Sequence, residues 1–276
     1  MYRINGYYLL NPTGNITILA EKPDCAEHLS ELPSIAASLM DLEPSAEQVG
    51  FLSAGDEAAD ICLTMAGGEF CGNATLSAAA VYAYKNRDAG ENGEGVSVKV
   101  KVSGTNAPVN VLLKKQEDRV YSGAVAMPSA QRISVRRFDW NGKKYSFPTV
   151  DFQGITHIIC EPESVELFSD RKALELAVKY WCGELDADAL GIMLTDYERR
   201  SLVPLVYVAS AGTLFWESSC ASGTCAAGVY YADRHGGRAS LSFEEPAGKL
   251  AVEVFPDGKI TLLGNVILQK ISPDPI

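Results

Sequence analysis

Two cysteines stand in matched surroundings. The first segment reads Glu69-Phe70-Cys71-Gly72-Asn73-Ala74-Thr75 and runs into an alanine-rich stretch ending Val81-Tyr82. The second reads Ser218-Ser219-Cys220-Ala221-Ser222-Gly223-Thr224 and runs into Cys225-Ala226-Ala227, ending Val229-Tyr230-Tyr231. Each copy is Cys, three small residues, Thr, then a helical run, and the two lie slightly over half the chain apart. A cysteine where a strand or loop enters a helix meets unpaired N–H groups and the positive end of the helix dipole. Its thiolate is stabilised there and its pKa is expected to fall. The small residues that follow let a ligand approach the backbone. The N–H groups of Gly72 and Asn73, and of Ala221 and Ser222, are then candidates to hold a carboxylate. A pair of such thiols suits one reaction in particular. One thiolate removes a proton from Cα, the other thiol returns a proton to the opposite face, and the stereocentre inverts.

The other cysteines read as packing residues. Cys25, Cys62, Cys160, Cys182 and Cys225 bring the total to seven, an odd number without a CxxC pair. This argues against a disulfide framework or a four-thiolate zinc site. His28, His157 and His235 form no local ligand pattern, so no metal is expected. No lysine stands in a recognisable pyridoxal-phosphate motif, so no cofactor is expected either. A reduced, cytoplasmic protein is the expectation.

The elements that must position these thiols are mostly strands. Runs rich in β-branched and aromatic residues lie at Tyr7 to Leu10, Ile16 to Leu19 and Ile61 to Met65. Val96 to Val102 alternates strictly, as a half-buried strand does. Further strands are expected at 109–113, 120–127, 156–160, 202–208, 250–255, 260–263 and 266–271. Helices are expected at 25–42, 76–84, 171–181 and 225–233. Turns are marked at Asn92-Gly93, Asn141-Gly142 and Pro256-Asp257-Gly258. The simplest organisation is two similar α+β halves, each presenting one cysteine at a helix entrance. The 276 residues carry 24 Lys+Arg against 35 Asp+Glu, a net charge of −11. Such a chain repels phosphate backbones, so nucleic acid is not an expected partner. No apolar run approaches the ~20 residues of a bilayer span. The first residues lack the pattern of a signal peptide.

In these motifs the sequence resembles the diaminopimelate epimerase superfamily of cofactor-independent amino-acid racemases and epimerases. Cys71-Gly72-Asn73-Ala74 is similar to that family's first catalytic segment, CGNG. Cys220-Ala221-Ser222-Gly223-Thr224-Cys225 is similar to its second, CGTGAC, with the same Cys-to-Cys spacing. Gly14-Asn15 resembles its N-terminal GND, and Gln48-Val49-Gly50-Phe51 its GVGF. Thr156-His157-Ile158-Ile159 resembles PHxV with Thr for Pro, and Pro246-Ala247-Gly248-Lys249-Leu250 resembles a closing PGG-L segment. The likeness covers most of the chain.

The resemblance implies an α+β fold of two pseudo-symmetric domains, each a curved, mostly antiparallel sheet around a central helix. One domain would comprise residues 1–116 with 265–276, the other residues 117–264. Cys71 and Cys220 would be base and acid, exchanging roles with substrate handedness. His157 and Glu217 would orient or deprotonate the thiols. Asn15 and Asn73 would hold the substrate backbone, and Glu47 is a further polar contact. A small amino acid would be the partner, and a homodimer is an assembly this reading allows. Three departures bear on the substrate. Ile155 and Ala189 stand where diaminopimelate epimerases have Asn, and Ser218 follows Glu217 where they have Arg. A distal ammonium and carboxylate buried there would lack partners. The expected substrate is therefore not diaminopimelate. The form of both cysteine segments is more similar to the histidine racemases of opine-metallophore pathways. Two other readings compete. One is a phenazine-biosynthesis-type isomerase with Glu47 as its base. The other is a non-catalytic amino-acid-binding protein on the same fold.

Overall fold

The structure is a computed structural model, and it describes residues 6–22, 29–86, 95–161, 170–209 and 212–273. The fold is α+β and rich in sheet. It divides into two compact units, Met1–Ala126 with Leu263–Ile276, and Met127–Leu262.

The first unit contains β1 (Tyr7–Pro12), β2 (Thr17–Glu21), α1 (Leu32–Leu42), β3 (Gln48–Asp56), β4 (Ala59–Met65), α2 (Gly72–Lys85), β5 (Val96–Val102), β6 (Val109–Glu117) and β7 (Val120–Met127). The last strand of the chain, β16 (Ile260–Ser272), enters this unit from residue 263 onward. The strands hydrogen-bond in the order β1-β2-β3-β4-β5-β6-β7-β16, and β1 also pairs with β16, so the path closes on itself. The pairs β2–β3 and β4–β5 are parallel because α1 and α2 cross over between them. α2 packs against β1, β2, β4, β5 and β6. Its first ten residues and Ala83 are buried. Alanine, serine and glycine around its circumference let strands approach from several sides, the mark of an interior helix rather than an amphipathic one. α1 is amphipathic and covers β3 with Leu32, Ile35, Ala36 and Leu39.

The second unit contains β8 (Arg132–Trp140), β9 (Lys143–Phe152), β10 (Ile155–Cys160), α3 (Arg171–Glu184), β11 (Ala189–Asp196), β12 (Ser201–Val208), β13 (Thr213–Trp216), α4 (Ala221–Arg234), β14 (Ala239–Glu245) and β15 (Gly248–Val254). Its order is β8-β9-β10-β11-β12-β14-β15, with β13 on β12. The parallel pairs, β10–β11 and β12–β14, again flank helices α3 and α4. α4 packs against β9, β10, β11, β14 and β15. A Cβ at Gly228 would lie 2.6 Å from Val252 Cγ1, so glycine sets how closely α4 sits on β15. α3 begins at Asp170, whose carboxylate accepts from the N–H groups of Lys172 and Ala173. It buries Trp181 among Phe138, Phe147, Leu174 and Ile192, and the indole N–H donates to the Asp139 carbonyl at 3.0 Å.

Several elements differ from the sequence expectation. β3, β8, β9, β11, β13 and β14 were not expected. Charged residues such as Arg136, Arg137, Lys143 and Lys144 obscure the β8–β9 hairpin, whose Asn141-Gly142 turn has the positive φ values of a tight primed turn. α2 and α4 begin four residues before their alanine-rich runs, at Gly72 and Ala221. The two segments at 260–263 and 266–271 are a single strand, and the Thr13 hydroxyl exchanges hydrogen bonds with the Asn265 backbone between them. Most of residues 117–126, expected in the second half, form β7, which pairs with β6 of the first unit. The Asn92-Gly93 turn and the start of the 25–42 helix lie outside the described residues. Among the described residues no helix is long and apolar enough to cross a membrane.

Trp181 anchors the aromatic core of the second unit, so Trp181→Ala should cost about 3–5 kcal/mol in denaturant-induced unfolding. A loss below about 1 kcal/mol would show that the cluster is not what holds α3 to the sheet.

Candidate active site

Cys71 is the N-cap of α2. Its backbone is extended, with φ −130°, and its Sγ accepts the Ala74 N–H at 3.4 Å. The Thr75 hydroxyl donates to the Cys71 carbonyl at 2.7 Å. The thiol is half-buried and lies 3.0 Å from Gln48 Oε1. Gln48 opens β3 and stands opposite Thr17 in the parallel β2–β3 register. Its Nε2 donates to Thr17 Oγ1 at 2.8 Å and to Asn15 Oδ1. The Asn15 Nδ2 group in turn donates to Glu47 Oε2 at 2.7 Å. Asn15, Glu47, Gln48 and Cys71 thus form one hydrogen-bonded chain. Asn73, on the first turn of α2, is buried.

Cys220 caps α4 with the same geometry. Its φ is −129°, its Sγ accepts the Gly223 N–H at 3.4 Å, and the Thr224 hydroxyl donates to its carbonyl at 2.8 Å. The thiol is buried and hydrogen-bonds the Glu217 side chain. Ser222 Oγ is 3.6 Å from Cys220 Sγ and 2.9 Å from His157 Nε2. His157 lies on β10 opposite Gly191 of β11, and a Cβ at that glycine would meet His157 Nδ1 at 2.3 Å. The bare backbone of Gly191 therefore makes the room for the ring. Behind the cap, the Cys220 N–H donates to Glu245 Oε2 at 2.7 Å, and Thr224 Oγ1 bonds Glu245 Oε1.

Burial governs the charges in this second cluster. His157 is fully buried and its pKa falls to about 3, so the ring is neutral. Its Nδ1 is buried with no hydrogen-bond partner among the described residues. A buried lone pair is cheaper there than a buried N–H, so the proton sits on Nε2 and donates to Ser222. The Ser222 hydroxyl is then free to donate to Cys220. The Cys220 thiol is pushed well above its usual range, first by burial and then by Glu217. This reverses the expectation that the helix end alone lowers it. The proton rests on sulfur and points to Glu217. Burial likewise raises Glu245 to about 8.

The first cluster thus collects Cys71, Asn15, Glu47, Gly72 and Asn73, and the second collects Cys220, His157, Glu217, Ala221 and Ser222. Gln48 and Glu245 were not singled out from sequence. Gln48 sits within the GVGF-like segment, the one local signal for it. Glu245 lies 25 residues from the cysteine it caps and carried no local signal. Among the described residues no group of three or more His, Cys, Asp or Glu is placed to hold a metal.

Residues 6–264 match the family described as histidine racemase CntK N-terminal domain. The chain belongs to that family. A histidine racemase of Fusobacterium nucleatum is 30% identical over 266 residues, covering 93% of this chain and 94% of that protein. A histidine racemase of Staphylococcus aureus is 30% identical over 246 residues, covering 88% and 85%. Two solved structures share the fold. A hydroxyproline epimerase from Agrobacterium vitis has a TM-score of 0.70 at 12% identity, over 100% of this chain and 91% of that one. A predicted epimerase from Pseudomonas aeruginosa has a TM-score of 0.68 at 13% identity, over 97% and 98%. The chain is accordingly an isomerase, an amino-acid racemase or epimerase.

Glu245 makes stability depend on pH in a definite direction. The unfolded chain loses this proton near 4.5, whereas the folded protein keeps it to about 8. The stabilisation is complete below about 4.5 and is lost as pH rises through about 8. Glu245→Gln should flatten that decline, which runs at up to about 1.4 kcal/mol per pH unit. Urea unfolding at several pH values in this window checks it. An unchanged slope would assign the pH dependence to other groups.

Proposed function

We propose that the protein racemises histidine, with Cys71 and Cys220 as the two acid–base groups. The observation that carries this reading is the shared cap geometry. Each cysteine closes the N-terminus of an interior helix, and its sulfur is held by the N–H of the third residue onward. The same match supports reading the two units as similar halves. Glu217 accepts the Cys220 proton, and the sulfur that remains is held by the Gly223 N–H and the Ser222 hydroxyl. Cys220 as thiolate then takes the Cα proton of one enantiomer. Cys71 delivers its thiol proton to the opposite face, leaving one thiol and one thiolate. The other enantiomer reverses the roles. His157 acts through Ser222 rather than on the substrate. The N–H groups of Gly72, Asn73, Ala221 and Ser222 are the proposed carboxylate contacts, and they make loss of the Cα proton easier by holding the developing charge.

The named relatives support histidine, and two side chains argue against diaminopimelate. Ile155, half-buried at the start of β10, and Ala189, buried at the start of β11, offer a distal charged end no polar partner.

Both enantiomers of histidine should acquire solvent deuterium at Cα under reducing conditions. Cys71→Ser and Cys220→Ser should each lower racemisation by about 10²–10⁴-fold. Full racemisation in both single variants would sink the two-thiol mechanism. Wash-in confined to diaminopimelate would overturn the substrate assignment. Histidine binding without any exchange would favour the binding-protein alternative.

A further inference from the structure

The polarity of the hydrogen-bonded chain behind Cys71 can be read from its far end. A carboxylate accepts and does not donate. Glu47 therefore fixes the Asn15 amide with Nδ2 toward it, which turns Asn15 Oδ1 toward Gln48. That oxygen in turn draws Gln48 Nε2. Thr17 reinforces the choice, because its hydroxyl donates to the Asn15 carbonyl at 2.9 Å and so meets Gln48 as an acceptor. Both Nε2 hydrogens are engaged, and Gln48 Oε1 is left to face the Cys71 sulfur at 3.0 Å. An oxygen lone pair at that distance favours S–H over a thiolate.

We infer that Gln48 is a positioning residue that holds Cys71 as a proton donor. Thr17, Asn15 and Glu47 lock its amide in that orientation. The inference rests on the two-thiol reading and deepens it, since Cys71 then meets the first substrate molecule as the acid. Cys220 contrasts with it. Its proton also rests on sulfur, but that sulfur faces a carboxylate able to take the proton, which the Gln48 amide is not, and two donors able to hold the thiolate that remains, Ser222 and the Gly223 N–H. Several groups among the described residues bear on the Cys71 charge. From α2 come the Ala74 N–H and the helix end, from β3 Gln48, from β2 Thr17, and from the flanking loops Asn15 and Glu47. Glu69, in the loop before Cys71, has its carboxylate over Gly67.

The test is the pH profile of Cys71 alkylation by iodoacetamide in the full chain, followed on the Cys71 peptide by mass spectrometry. Gln48→Leu removes the acceptor and should lower the midpoint by about 0.5–1 pH unit, the worth of one neutral hydrogen bond. Gln48→Glu places a carboxylate in the same position and should raise it. An unchanged or raised midpoint in Gln48→Leu overturns the inference. If Gln48→Leu loses its circular-dichroism signature, the near-isosteric Gln48→Glu carries the test, and an unchanged or lowered midpoint there overturns it. Racemisation that survives Cys71→Ser would overturn the two-thiol reading instead, and would leave the order of alkylation midpoints untouched.

Discussion

A helix that starts in the interior of a sheet-wrapped unit leaves its first N–H groups without water to satisfy them. In this protein a cysteine sulfur fills that role twice. Cys71 and Cys220 adopt extended backbone, accept the N–H of the third residue onward, and have their carbonyls bonded by a threonine one turn on. The cap is structural and, on the proposed two-thiol mechanism, chemical as well. It places each thiol at a helix end by the same bond that lets the helix begin there. Serine or aspartate would cap as well, but neither has the thiol that the proposed racemisation uses.

The rest of each unit follows from burying such a helix. Strands can approach from several sides only if the helix surface is small all round. The alanine-rich runs after Thr75 and Thr224 supply that surface. The helices cross between parallel strands, while hairpin neighbours such as β3–β4 and β5–β6 pair antiparallel. Glycine recurs where backbone or ring must come close, at Gly228 against Val252 and at Gly191 beneath His157.

Around these equal caps the polar surroundings differ. Cys71 looks onto amides ordered by a carboxylate two side chains away. Cys220 looks directly onto the Glu217 carboxylate, with a neutral imidazole behind its serine neighbour. Like cap geometry is thus paired with unlike hydrogen-bond surroundings. The chain's net charge of −11 has no part in this, because contacts within a few ångströms outweigh a surface charge screened beyond about 10 Å.

What the sequence determined by itself was local. The repeated Cys, small residues and Thr marked both helix entrances, the alanine runs marked both interior helices, and the alternation of Val96 to Val102 marked β5 as a strand with one buried face. Strands with charged or small residues, such as β8 and β3, were not legible, because their pairing partners and not their own pattern make them strands. The tertiary structure alone decided the partners of the thiols. Gln48 reaches Cys71 across 23 residues, Ser222 meets His157 across 65, and Glu245 caps Cys220 from another strand. It also decided the direction of the Cys220 shift. A helix end is visible in sequence and argues for a lowered pKa, but burial is a property of everything packed around the sulfur, and in Cys220 burial wins.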